Sequence, residues 1–232
     1  FRSEPIEDLL AFRPRVEKIV LKDAKLRTFI TDDEHRDELV AHVYDTTYEV
    51  IRKGKDTLVV IDDSIVRGTT LERSILKMLD RLEPKKIVIV SSAPQIRYPD
   101  CYGIDMSRLK DFVAFRAMIA LVREHGLESE LASVYDCCTG SEGDASPENH
   151  LQKLYNHFTD EQISAKISEI VKPEGMNAEV EVLYQTVENL HKAIPHHSGD
   201  WYFTGDYPTP GGMRVANRAY ANYMDGKLVR AY

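Results

Sequence analysis

The chain has 232 residues, of which 43% are hydrophobic, and a formal net charge of −8, which is long and apolar enough to bury a sizeable core. The acidic balance argues against non-specific nucleic-acid binding, which needs a basic footprint. No apolar run approaches membrane-spanning length. Three cysteines without CxxC spacing fit a reducing cytoplasm better than a disulfide framework. The start at Phe1 instead of Met, with no secretory signal, reads as the carboxyl-terminal portion of a longer protein.

Phe1 to Arg15 is charged, holds two prolines and carries no chemistry that can be named. Glu34 to Arg52 sets Leu39, Val40, Val43, Tyr44, Thr47, Val50 and Ile51 on one helical face, with Gly54 as a stop, and predicts a helix. Leu58 to Ile61 is a continuous run rich in β-branched residues, the pattern of a parallel-sheet strand covered on both faces. Side chains after Ile61 then emerge at the carboxyl edge of the sheet.

There the chain reads Asp62 Asp63 Ser64 Ile65 Val66 Arg67 Gly68 Thr69 Thr70. Paired acids alone read as a solvated loop or a helix cap. In this setting they can accept hydrogen bonds from vicinal hydroxyls or help to hold a hydrated Mg²⁺, while Ser64 to Thr70 supply amides and hydroxyls for a phosphate. Gly68 permits close backbone approach. Leu71, Ile75, Met78, Leu79 and Leu82 recur at helical spacing, so the loop leads into a helix whose amino-terminal N–H groups face the ligand.

Lys86 to Ser91 predicts a second strand and hence a crossover unit. Ser107 is read as the cap of a helix from Arg108 to His125, with Gly126 after it. Leu127 to Met176 holds a polar loop around Thr139 to Pro147 and two helical patterns, Pro147 to Phe158 and Asp160 to Val171. Alternation at Val180, Val182 and Tyr184 predicts a strand, and Thr186 caps a helix through Ile194. His191, His196 and His197 lie too close in sequence to face one ion together, and no CxxC partner exists. The tail from Ser198 is aromatic, with Trp201, Tyr202, Phe203, Tyr207, Tyr220, Tyr223 and Tyr232, and reads as a packing surface for another domain or subunit, with a last helix over Met213 to Met224.

The string Val59 to Thr70 resembles the phosphoribosyl pyrophosphate motif of type I phosphoribosyltransferases, in which apolar residues lead into paired acids and a Gly-Thr-Thr phosphate loop. Its extended form is most similar to the amidophosphoribosyltransferase family. Ser92 Ala93 Pro94 Gln95 Ile96 Arg97 Tyr98 Pro99 and Tyr102 Gly103 Ile104 Asp105 Met106 resemble that family's segment after the next strand, Arg27 Thr28 Phe29 Ile30 its mobile loop, and Phe203 Thr204 Gly205 Asp206 Tyr207 Pro208 a later stretch. Ala41 to Tyr48 departs from the family's basic segment near the phosphate site.

The resemblance implies an α/β fold, a type I phosphoribosyltransferase-like parallel sheet flanked by helices. It divides the chain into a phosphoribosyltransferase domain at 1–126 and 177–197, a helical insertion at 127–176 and the aromatic tail at 198–232. It implies that Asp62, Asp63, Ser64, Ile65, Val66, Arg67, Gly68, Thr69 and Thr70 bind phosphoribosyl pyrophosphate, that Asp62 and Asp63 help to position Mg²⁺, and that Arg27 belongs to a catalytic lid. The implied reaction, in purine synthesis, joins glutamine-derived ammonia to the sugar, in a homo-oligomer without nucleic-acid or membrane partners. The glutaminase half lies outside this sequence. Some members carry an iron–sulfur cluster, but Gly199 and Tyr202 stand where cluster cysteines are expected and Cys101 alone cannot hold one, so none is expected. Two rivals remain at this stage: a phosphoribosyltransferase acting on a nucleobase, and a non-catalytic sensor of phosphoribosyl pyrophosphate.

Overall fold

The computed structural model describes residues 20–22, 44–46, 50–103, 106–140, 148–197 and 199–231. They fall into two compact units, Phe1–Arg52 and Lys53–Tyr232. In the first, β1 (Val20–Lys22) and β2 (Tyr44–Thr46) pair antiparallel, Val20 opposite Thr46 and Lys22 opposite Tyr44. The helix expected over Glu34 to Arg52 is therefore interrupted by a strand. Tyr44 and Thr46 are residue types that favour strands, and pairing with β1 realises that preference over the helical spacing.

The second unit is built on three parallel strands, β3 (Thr57–Asp62), β4 (Lys86–Ser91) and β5 (Glu179–Tyr184), with β4 in the middle. Their register aligns Val60, Ile89 and Val182 in one row and Asp62, Ser91 and Tyr184 in the last. Residues in a row share a face. Ile87, Ile89 and Val182 are buried on one side. The opposite side is open: Val59 is 63% exposed, Ile61 77% and Leu183 44%. The expectation that Leu58 to Ile61 is covered on both faces is thus corrected. A continuous apolar run reports what its residues prefer, whereas the cover must come from another element.

Between β3 and β4 the chain forms a π-helical turn, Leu71–Ile75, that runs into α1 (Leu76–Asp80), burying Leu71, Leu76 and Leu79. After β4, a 3₁₀ turn over Leu109–Asp111 precedes α2 (Val113–Glu124). Ser107 does not cap it; Phe112 holds the N-cap position in extended geometry, with φ −83° and ψ 124°. The cause lies in α2's first amide, which donates to Val66 O at 2.8 Å and so ties the helix start to the loop after β3.

Helix α3 (Glu128–Gly140) was absent from the sequence expectation, which placed a loop from Thr139. It is followed by α4 (Gln152–Tyr155) and α5 (Asp160–Val171). A capping box opens α5: the Gln162 amide donates to Thr159 Oγ1 at 3.2 Å, and the Thr159 amide donates to Gln162 Oε1 at 2.9 Å. Ile163, Ile167 and Val171 lie on its buried side, and α5 packs on β5 and α2. After β5, Thr186 caps α6 (Val187–Ala193) by accepting from the Asn189 amide at 3.1 Å.

The aromatic tail packs in part on earlier segments of its own chain. It forms α7 (Trp201–Thr204) and α8 (Pro210–Met224). Tyr207 is buried and donates to Pro99 O at 2.5 Å, while Tyr220 is fully buried and donates to Leu131 O of α3 at 2.9 Å.

Candidate functional site

The site begins where β3 ends. Asp62, in line with the covered face, is half-buried and Asp63 is exposed. Each carboxylate first serves the turn: the Asp63 amide donates to Asp62 Oδ1 at 3.0 Å, and the Ser64 amide donates to Asp63 Oδ1 at 2.7 Å. These bonds tilt the chain out of the strand and hold both acids at its carboxyl end. The backbone beneath is pinned to the neighbouring strand end. Ser92 N donates to Asp62 O at 2.9 Å, Ala93 N to Asp63 O at 3.1 Å and Ser92 Oγ to Asp63 O at 3.1 Å. Burial raises the Asp62 pKa above its ordinary value; the Asp63 amide opposes this and the Asp63 charge adds to it.

The loop beyond is anchored from below. Ile65 is only 3% exposed, so its side chain belongs to the core and only its backbone can face a ligand. The Val66 carbonyl accepts from the Val113 amide and the Arg67 carbonyl from Arg116 Nη2 at 2.9 Å. Gly68 has φ +72°, and a Cβ there would lie 2.9 Å from Val171 Cγ1. Only glycine meets both demands. Among the described residues, the amides of Ile65, Val66, Gly68 and Thr69 donate no hydrogen bond. A curved run of unpaired amides beside a helix start is the arrangement that receives a phosphate. Ser64 and Thr69 are half-buried, and Arg67 and Thr70 are exposed at the rim.

The structure therefore brings Asp62 through Thr70 together as one turn and loop. Arg27 lies outside the described residues, as do Ile104 and Asp105 of the later resembling segment. Sequence reasoning missed the residues that hold the loop in place, Val113, Arg116 and Val171, because they are distant in sequence and carry no motif. Tyr184 was read only as part of a strand, yet the register sets it in the same row as Asp62.

Away from the loop, Tyr202 donates to Asp100 Oδ1 at 2.8 Å, and the amides of Arg97 and Tyr98 donate to Tyr202 O at 2.8 and 3.1 Å. Polar bonds thus join the segment after β4 to the tail. His191 Nε2 pairs with Asp200 Oδ2 at 3.0 Å. Among the described residues there is no group of three or more His, Cys, Asp or Glu side chains placed to hold a metal ion, and no helix is long and apolar enough to cross a membrane.

Over up to 130 residues this chain is similar to amidophosphoribosyltransferases. It is 38% identical over 130 residues to the Haemophilus influenzae enzyme, covering 47% of this chain and 25% of the relative. The Pasteurella multocida enzyme is 41% identical over 96 residues, 41% of this chain and 19% of the relative. The Saccharomyces cerevisiae enzyme is 38% identical over 91 residues, 37% of this chain and 18% of the relative. The chain thus spans a quarter or less of the length of these relatives. No protein-family model matches it. Among solved structures, the glutamine phosphoribosylpyrophosphate amidotransferase from B. subtilis, complexed with ADP and GMP, aligns with 83% of this chain and 32% of its own, at TM-score 0.46 and 23% identity.

Proposed function

We propose that this chain carries the phosphoribosyl pyrophosphate site of an amidophosphoribosyltransferase, which forms 5-phosphoribosylamine and pyrophosphate from that substrate and glutamine-derived ammonia in purine synthesis. The observation that carries the reading is the junction of β3 with its loop: two carboxylates at a sheet's carboxyl end, followed at once by a Gly-Thr-Thr loop with unpaired amides. Amidophosphoribosyltransferase relatives in bacteria and yeast support it.

In this reading the segment Ser64 to Thr70 receives the 5-phosphate, through the amides of Ile65, Val66, Gly68 and Thr69 and the Ser64, Thr69 and Thr70 hydroxyls. Asp62 and Asp63 accept hydrogen bonds from the ribose hydroxyls and so fix the anomeric carbon relative to the nucleophile. Two adjacent carboxylates are hard oxygen donors but too few for a closed cage, which fits a Mg²⁺ that keeps waters and is bound chiefly by substrate phosphates. When bound, Mg²⁺ neutralises charge on departing pyrophosphate. As that group leaves, positive charge develops at the anomeric carbon, and the nearby Asp62 and Asp63 carboxylates favour it electrostatically. Ammonia is already a competent nucleophile, so no strong base is required of these residues. Arg27 is assigned to a lid that closes over substrate and excludes water. A cytoplasmic homo-oligomer without an iron–sulfur cluster, with 127–176 inserted within the phosphoribosyltransferase domain, completes the proposal.

The test replaces both acids, Asp62→Ala with Asp63→Ala, in the intact natural protein. Phosphoribosyl transfer should be abolished while glutamine hydrolysis stays measurable. Unchanged transfer would refute the assignment.

A further inference from the structure

Tyr184 closes β5 at the position where Asp62 closes β3, and Ser91 stands between them in the same row. All three side chains therefore leave the same face of the sheet. Ser91 Oγ is engaged locally, donating to Ala93 O at 2.8 Å. The Tyr184 hydroxyl is excluded from solvent, and among the described residues it has no hydrogen-bond partner. A buried phenol normally finds one, because an unmade bond forfeits the solvation of the group. Burial raises the Tyr184 pKa, and the charge of Asp62 raises it further, which places that carboxylate within electrostatic reach of the phenol.

The chemistries of the two groups are complementary. An ionised carboxylate only accepts, with about four acceptor sites, and the Asp63 amide bond at 3.0 Å leaves room for more donors. A phenol is a donor that retains its proton at neutral pH. Within its own segment Asp62 interacts with the amide and side chain of Asp63. A donor reaching across from β5 would hold the carboxylate from a second direction.

The geometry points to Tyr184 as a positioning residue of the sugar site: with ligand bound, its hydroxyl donates to the Asp62 carboxylate and holds it in the orientation that accepts from a ribose hydroxyl. This rests on the reading of Asp62 as a ribose contact. It adds a residue two strands away, outside the Asp62 to Thr70 motif, whose hydroxyl, without a partner among the described residues, is the donor for that step.

The test measures binding of ribose 5-phosphate and of methyl phosphate, which lacks the sugar, by titration calorimetry on the full chain and its Tyr184→Phe variant. Loss of a hydrogen bond to a charged group weakens ribose 5-phosphate about tenfold, with methyl phosphate unaffected, since the loop alone holds it. In an Asp62→Ala background Tyr184→Phe has no further effect, because the group it orients is gone. The variant also melts no lower than the unaltered chain, since the hydroxyl it loses has no partner among the described residues. Unchanged ribose 5-phosphate affinity, an equal loss for both ligands, or full additivity with Asp62→Ala would overturn the proposal. Failure of the unaltered, folded chain to bind ribose 5-phosphate would instead overturn the reading of the site, and this proposal with it.

Discussion

Gly68→Ala separates two demands that meet at one residue of the phosphate loop. With φ at +72°, an L-residue there costs about 1–2 kcal/mol in backbone conformation alone. The added Cβ would also lie 2.9 Å from Val171 Cγ1 and 3.4 Å from Val113 Cγ2, and both side chains are fully buried and cannot swing away. Overpacking of that kind adds about 1–3 kcal/mol. The sum, roughly 2–5 kcal/mol, lowers the melting temperature by roughly 4–20 °C at the 2–4 °C per kcal/mol expected for a domain of this size. Val171→Ala removes the colliding methyl, so in that background Gly68→Ala should retain only the backbone share. Urea denaturation of the four proteins in the cycle yields an interaction energy of about 1–3 kcal/mol in favour of the double variant. A Gly68→Ala protein as stable as the parent would refute the strain, and an additive cycle would refute the collision.

Asp62→Asn should stabilise the ligand-free protein at neutral pH while weakening sugar binding. Below 3.8, the ordinary carboxyl value, Asp62 is protonated in folded and unfolded chains alike and adds no difference. As pH rises the unfolded carboxyl ionises first, because burial holds the folded one higher; the parent falls behind the variant until that higher value is passed, and the gap is then constant. Denaturation midpoints at pH 4 and pH 7 measure it, and a gap of the same size at both would contradict the burial argument. Tyr202→Phe removes the donor 2.8 Å from Asp100, a residue only 2% exposed. The loss should be about 1–3 kcal/mol, read as an earlier thermal transition, and a transition at the parental temperature would show that the bond contributes nothing to docking the tail.

What could be read from the sequence was whatever short range determines. β4 and β5 follow from their apolar patterns, and the cap at Thr186 from a side chain that serves the amide three residues on. The acid pair and its loop were legible for the same reason, since Asp62, Asp63 and Ser64 build their turn from one another. α3 was not legible. Glu128–Gly140 includes Val134, Tyr135, Asp136, Thr139 and two cysteines, weak helix formers that leave a narrow apolar stripe of Leu131, Val134 and Cys138. Its helix is sustained by α8, through the Tyr220 bond to Leu131 and the Cys138 Sγ contact with Asn217 Oδ1 at 3.6 Å, more than 75 residues away in sequence.

The same division explains why the site's chemistry was easier to see than its support. A phosphate loop needs unpaired amides, and amides stay unpaired only if something else keeps the loop from collapsing onto them. Here that restraint comes from carbonyls and side chains: Val66 O is held by the start of α2, Arg67 O by Arg116, and Gly68 by contact with the end of α5. None of these partners needs a particular side chain except Arg116, because the Val113 bond is made by backbone and the Val171 contact by volume alone. A motif records residues whose chemistry is irreplaceable. Loosening the loop by Val171→Ala should therefore degrade phosphate binding without altering any residue that touches phosphate, and it is positions of this kind, invisible to motif reading, that decide whether an intact Asp-Asp and Gly-Thr-Thr string is a working site.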